Sequence, residues 1–145
     1  MPPSRYVLTL RQTIGWLWAL PLTAYALPLC LVVAIEKCIF NKKQADVSVI
    51  WSHSAMVIVV YSPWTKAILL RHPMGSMQAA ALGCCILAQD AAALQRCWAH
   101  ERVHVAQAMR WGIAFPVAYI LASVWAFANG ACPYADNVFE LEADK

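Results

Sequence analysis

The sequence predicts an α+β membrane protein of one domain, with an N-terminal transmembrane helix, a small antiparallel sheet and a group of C-terminal helices. Hydrophobic residues make up 61% of the 145 residues and charged residues only 13%, about half the usual share of charge. A long uncharged stretch comes first, short β-branched runs follow, and the last third has a helical composition. A domain of this size cannot bury so much apolar surface, so we expect contact with membrane lipid.

The predicted transmembrane helix covers residues 14–35. This stretch contains no charged residue, and its 22 residues are enough to cross a hydrocarbon core of about 30 Å. Trp16 and Trp18 near its start are typical of a membrane interface. A cleaved signal peptide is the alternative, because residues 24–26 (Ala-Tyr-Ala) resemble a cleavage site. The apolar run continues beyond Ala26, which favours an uncleaved anchor.

Positive residues flank this anchor unequally. Arg5 and Arg11 precede it, and a larger set follows it: Lys37, Lys42, Lys43, Lys66 and Arg71. Because positive residues favour the cytoplasmic side of a membrane, we expect the part of the chain that follows the anchor to face the cytoplasm. The net charge is only +3, and no basic stripe with interleaved aromatic residues is present, so the sequence predicts no nucleic-acid partner.

Residues 47–88 predict the sheet. Short apolar runs lie at residues 47–51, 56–61 and 67–70, each rich in β-branched, aromatic or other apolar residues and separated by Ser, Pro, His or Gly. Runs of this length between breakers indicate a small antiparallel sheet. A fourth run at residues 79–88 contains several alanines, so a helix is an alternative there.

Three helices are predicted after the sheet. Asp90 is a suitable N-cap for a helix over residues 90–111, and Gly112 can end it. Residues 113–129 form an uncharged apolar helix, which is only marginally long enough to span a membrane. A short helix over residues 136–145 completes the chain.

The first of these helices carries the sequence His-Glu-Arg-Val-His at residues 100–104. Residues four apart lie on one face of a helix, so His100 and His104 can bind one metal ion. Glu101, next to the first histidine, can act as a general base on a water molecule. The alternative is that both histidines are ordinary surface residues of the helix.

A zinc hydrolase needs a third protein ligand. No histidine follows His104, which excludes the metzincin pattern. The acidic candidates further along the chain are Asp136, Glu140, Glu142 and Asp144. Glu140 and Asp144 would share one face of the last helix, whereas Glu142 would point away. These residues could also form no more than a solvated acidic tail.

Residues 140–144, Glu-Leu-Glu-Ala-Asp, resemble the E-x-x-A-D signature of membrane-bound gluzincins, which include the CAAX-prenyl endopeptidases and the heat-shock membrane proteases. The segment that contains His100 and His104 also resembles small bacterial proteins with the sequence H-E-R-V-H-V. The resemblance implies that Glu140 is the third Zn²⁺ ligand and that Asp144 supports a ligand histidine. It covers roughly the last third of the chain.

The resemblance implies a zinc metallopeptidase that acts on a peptide or protein at a membrane surface, with Glu101 as general base. The alternative is a non-catalytic membrane subunit of a larger complex that retains the motif. Candidates to stabilise the oxyanion are Tyr119, Tyr134, His53 and His72. If residues 113–128 crossed the membrane fully, Glu140 would be separated from the histidines. We therefore expect this helix to be buried or half-inserted and to pack back on the motif helix.

Overall fold

Helices pack against a four-stranded sheet in the described part of the chain, which comprises residues 9–40, 44–51, 55–72 and 75–145 of a computed structural model. In chain order the elements are α1 (Leu10–Phe40), β1 (Asp46–Trp51), β2 (Met56–Tyr61), α2 (Pro63–Leu70), β3 (Ala79–Leu82), β4 (Cys85–Ala88), α3 (Ala91–Trp111), α4 (Phe115–Ala128) and α5 (Val138–Ala143). The predicted α+β class is confirmed. Arg5, Lys42, Lys43 and His53 lie outside the described residues.

The sheet is mixed rather than antiparallel, so the predicted pairing is wrong in one place. The strand order is β1-β2-β4-β3. The pairs β1–β2 and β3–β4 are antiparallel, but β2 and β4 are parallel. Parallel strands require a long crossover connection. Here α2 and β3 together form that connection, which brings β4 in beside β2 and leaves β3 at the edge.

The segment at residues 67–70 was predicted as a strand, and this is wrong because it belongs to α2. The Ser62 hydroxyl accepts the Thr65 N–H at 3.1 Å, and the Thr65 hydroxyl accepts the Ser62 N–H at 2.6 Å. With Pro63 in the first turn, this reciprocal cap starts a helix. The run at residues 79–88 forms β3 and β4 instead of a helix, with a turn at Gly83.

One face of α1 belongs to the core. Its buried residues recur at helical spacing: Ala19, Leu22, Ala26, Cys30 and Val33. Within this face the Thr23 hydroxyl accepts the N–H of Cys84 at 2.9 Å, and a Cβ on Gly83 would clash with Thr23. A cut after Ala26 would divide this packed face. The choice between an uncleaved anchor and a cleaved signal peptide stays a prediction.

Two helical stretches are long and apolar enough to cross a membrane, Leu10–Ile39 and Ala91–Ala128. In the second, residues 111–128 carry no charge. Large apolar side chains on α4 are exposed: Val117, Ile120, Leu121, Val124, Trp125 and Phe127. The sequence predicts that this helix is either buried in the protein or half-inserted in a membrane. Its exposed side chains show that burial in the protein is wrong. Insertion of its exposed side into a membrane stays a prediction.

Candidate metal centre

Helix α3 presents a buried polar stripe. It begins at Asp90, whose carboxylate accepts the Ala93 N–H at 2.8 Å, as expected of an N-cap. Glu101, His104 and Gln107 are all buried, with Gln107 only 1% exposed. Buried polar side chains need partners, and α5 supplies partners to this stripe through Phe139, Glu140 and Glu142.

Three of the predicted site residues come together at this stripe. His100, His104 and Glu140 offer ligand atoms that all lie within 4.8 Å of one another. The two Nε2 atoms of the histidines are 3.0 Å apart. Glu140 Oε2 lies 3.2 Å from His100 Nε2, and Glu140 Oε1 lies 3.4 Å from His104 Nε2. This group could hold a metal ion.

The outer nitrogen of His104 is held by an amide. Its Nδ1 lies 2.8 Å from Gln107 Oε1. The Gln107 Nε2 donates to the Phe139 carbonyl at 3.0 Å and to Glu142 Oε2 at 2.9 Å. Both of these partners can only accept, which assigns the amide oxygen of Gln107 to the side that faces His104. His104 Nδ1 therefore carries the hydrogen, and its Nε2 presents a lone pair.

The outer nitrogen of His100 is held by a carboxylate. Asp144 Oδ1 lies 2.9 Å from His100 Nδ1, as the helical spacing of Glu140 and Asp144 predicted. An ionised carboxylate only accepts, so His100 also presents a lone pair at Nε2. Two imidazole lone pairs and a carboxylate that face one another require a cation, which is either a proton or a metal ion.

Two carboxylate oxygens of the cluster support this requirement. Glu101 Oε2 and Glu140 Oε2 are buried and accept no hydrogen bond from the described residues. A buried acceptor without a partner costs about 1–3 kcal/mol, and more when it is charged. The residues present therefore fit a bound cation better than they fit a self-sufficient hydrogen-bond network.

The pKa values of Glu101, His104 and Glu140 are shifted because these groups are buried close to one another. Burial raises the pKa of Glu101, and His104 and His100 offset only part of that rise. Burial lowers the pKa of His104, but Glu140 and Gln107 outweigh it, so the pKa is raised overall. Burial acts to raise the pKa of Glu140, but His104 and Tyr119 reverse the shift, so it is lowered overall.

Polar side chains of α4 hold α5 in place, and the sequence analysis did not predict these contacts. Tyr119 donates its hydroxyl hydrogen to Glu140 Oε1 at 2.6 Å, so it holds a candidate ligand and does not face the place of an oxyanion. The fully buried Asn137 caps α5 through the Phe139 N–H and donates to Ser123 Oγ at 2.8 Å. The available signal was the pair Tyr119 and Ser123, which are polar and four residues apart in an otherwise apolar helix.

A cavity of about 370 Å³ opens beside the cluster. His100, Glu101 and Tyr134 line it, together with residues at the start of edge strand β3. Burial, followed by the effect of Glu140, raises the pKa of Tyr134 to about 12, so its phenol remains a hydrogen-bond donor. Of the other oxyanion candidates, His72 does not line this cavity.

Comparisons with known protein families, curated proteins and solved structures find no match to this chain. The similarity to membrane-bound gluzincins therefore rests on the motif residues and stays a prediction.

Proposed function

We propose that this chain is a membrane-associated, zinc-dependent metallopeptidase of the gluzincin type. The observation that carries the proposal is the convergence of His100 Nε2, His104 Nε2 and the Glu140 carboxylate, with both imidazoles oriented from behind by hydrogen bonds. Two neutral imidazoles and one carboxylate form a typical ligand set of catalytic zinc sites, which keep a further position open.

His100, His104 and Glu140 would hold the zinc ion. When bound, zinc supplies a Lewis acid that activates water and polarises a carbonyl group. Asp144 and Gln107 keep the two imidazoles in the tautomer that offers Nε2. Tyr119 holds the Glu140 carboxylate in place through its hydroxyl group.

Glu101 is the proposed general base. It follows His100 directly and lines the cavity, so its carboxylate can take a proton from the attacking water and return it to the leaving amine. A raised pKa helps this exchange, because a base acts best when its pKa approaches the working pH. Tyr134 lines the same cavity as a protonated phenol and can donate a hydrogen bond to the oxygen that becomes negative.

The substrate is proposed to be an extended peptide. Strand β3 is at the edge of the sheet, and the residues that lead into it line the cavity. Unpaired backbone groups of an edge strand can bind an extended peptide. The exposed apolar side chains of α1 and α4 support a location at a membrane surface, with the cavity within reach of membrane-associated peptides.

A hydrolysis assay tests this proposal. Purified protein in lipid nanodiscs is loaded with zinc and incubated with a fluorescence-quenched peptide library. We expect cleavage that a chelator abolishes. Glu101→Gln should keep zinc and lose about 100-fold or more of the rate. Glu36→Gln is the matched control, because Glu36 accepts a hydrogen bond from Trp64 away from the cavity.

Three results would contradict the proposal. One is the absence of bound zinc, and another is cleavage by Glu101→Gln at the wild-type rate. The third is stoichiometric zinc with no cleavage of any peptide, which would indicate the non-catalytic membrane subunit instead.

A further inference from the structure

One arginine lines the same cavity as the candidate catalytic residues. Arg96 lies four residues before His100 on α3 and faces the cavity with His100 and Glu101. Four residues of helix place Arg96 about 6 Å from His100 along the helix axis. An extended peptide advances about 3.3 Å per residue. Arg96 is therefore within about two peptide residues of the proposed reaction centre.

Among the described residues, one hydrogen bond holds the guanidinium group of Arg96. Its Nε donates to Gln78 Oε1 at 3.0 Å, and the backbone of Gln78 is held because its carbonyl oxygen accepts the backbone N–H of Gln89 at 3.0 Å. Of the five N–H donors of an arginine, this contact uses one. The bond orients the planar group without neutralising its charge.

No carboxylate of the described residues forms an ion pair with Arg96. The contrast is Arg110 on the same helix, whose guanidinium is paired with Glu142 at 3.0 Å. The cavity lining around Arg96 is otherwise neutral: Ser76, Met77, Gln78, Ala79, Cys97 and Tyr134. The carboxylate that lines the cavity, Glu101, lies at its histidine end.

We infer that Arg96 is a specificity-determining residue that binds a carboxylate of the substrate. A planar guanidinium with free Nη donors matches a carboxylate with two parallel hydrogen bonds. The carboxylate comes either from the C-terminus of the peptide or from an Asp or Glu side chain within about two residues of the cleaved bond. This inference rests on the proposed peptidase function and adds the substrate class to it.

Matched peptides test the inference. Short synthetic peptides are prepared individually, each with a free C-terminus and as a C-terminal amide, and a third set of amides carries one Asp at each position in turn. The kcat and KM are measured for zinc-loaded wild type, Arg96→Gln and Arg96→Lys. Arg71→Gln is the control, because Arg71 is an exposed arginine at the end of α2, outside this cavity.

We expect peptides with a carboxylate to be favoured by about 10- to 100-fold in kcat/KM, mainly through KM. Arg96→Gln should remove this preference and leave uncharged amides unaffected, whereas Arg96→Lys should keep part of it. A preference for free C-termini indicates removal of C-terminal residues, and a preference for internal Asp indicates endopeptidase specificity. Equal loss for all peptides in Arg96→Gln would overturn the inference, since a structural role predicts that result.

Peptide binding to the zinc-loaded Glu101→Gln variant, with and without Arg96→Gln, separates the two proposals because it needs no turnover. Preferential binding of carboxylate peptides that Arg96→Gln abolishes supports the Arg96 site even if the wild type cleaves nothing. Cleavage of all peptides without preference supports the peptidase and overturns the role of Arg96.

Discussion

Helices α3 and α4 are neighbours in the chain, and each departs from the usual distribution of side chains in a different way. A helix of a soluble protein buries apolar residues and exposes polar ones. Helix α3 buries Glu101, His104 and Gln107, whereas α4 exposes most of its large apolar residues, with Leu121 64% and Trp125 73% exposed. Both arrangements cost free energy in water, so each indicates something that the isolated chain lacks. A bound cation would lower this cost for α3, and contact with an apolar surface would lower it for α4.

The junction between these helices depends on one glycine. Gly112 has φ 57°, in the left-handed region that glycine adopts most readily. A Cβ at this position would collide with the indole of Trp18 on α1. The turn allows α4 to bring Tyr119 to Glu140 while its opposite side remains exposed. The same residue therefore separates the buried polar stripe of α3 from the exposed apolar side of α4.

Removal of the two histidines has the largest expected effect, and it tests whether the polar stripe of α3 binds a metal ion. We expect the His100→Ala, His104→Ala double variant to lose zinc and all hydrolysis, because Glu140 alone cannot hold the ion. Metal content measured by mass spectrometry checks this. His72→Ala, outside the cluster, is the control and should keep zinc. Zinc that remains stoichiometric in the double variant would show that the stripe on α3 is not the metal site.

Charged substitutions on α4 test whether its exposed apolar side contacts lipid. We expect Leu121→Lys with Val124→Lys to weaken insertion of α4 on the order of ten-thousandfold, since each lysine at the centre of a membrane helix costs about 2.5–3.5 kcal/mol. The share of brominated-lipid quenching of tryptophan fluorescence that Trp125→Phe removes measures this insertion, whatever α1 contributes to membrane binding. The control carries Gln95→Lys with Ala106→Lys on exposed positions of α3. The same Trp125 share of the quenching in both variants would mean that the apolar side of α4 does not contact lipid.

Two acidic residues at the C-terminal end of α5 are expected to differ in their effect on metal binding. Asp144 contacts His100 directly, whereas Glu142 contacts Gln107 and Arg110. Loss of a carboxylate behind a metal-bound imidazole typically costs about 10–100-fold in metal affinity. We expect Asp144→Ala to fall within that range and Glu142→Ala to do much less, as measured by zinc competition with a chelator. Equal effects of the two substitutions would contradict the proposed role of Asp144 in orienting His100.

The smallest expected effect is on pH dependence. The pKa of His104 is raised, so its proton stabilises the metal-free protein at low pH, and this contribution is lost as the pH rises through the folded-state pKa. Zinc needs neutral imidazoles. The difference in Tm between zinc-loaded and chelator-treated protein should therefore grow from about pH 6 to about pH 8. A pH-independent difference, or the same growth in His104→Ala, would contradict this assignment.

The site was largely predictable because its spacing is local. The helical period places His100 above His104, and Glu140 above Asp144, whatever the rest of the fold is. The sheet was less predictable, because strand direction depends on connections. The Ser-Pro pair at residues 62–63 predicts the end of a strand, but in the structure it begins helix α2. The connection through α2 makes the β2–β4 pair parallel.

By itself, the sequence determined which residues can bind a metal ion and which helical stretches are apolar enough to meet a membrane. Both properties follow from the order of neighbouring residues. Only the tertiary structure decided that Tyr119 holds Glu140 and that Arg96 faces the cavity beside β3. Those contacts join elements that are distant in the chain. They arise from the turn at Gly112 and from the position of β3 at the sheet edge, which no local pattern specifies.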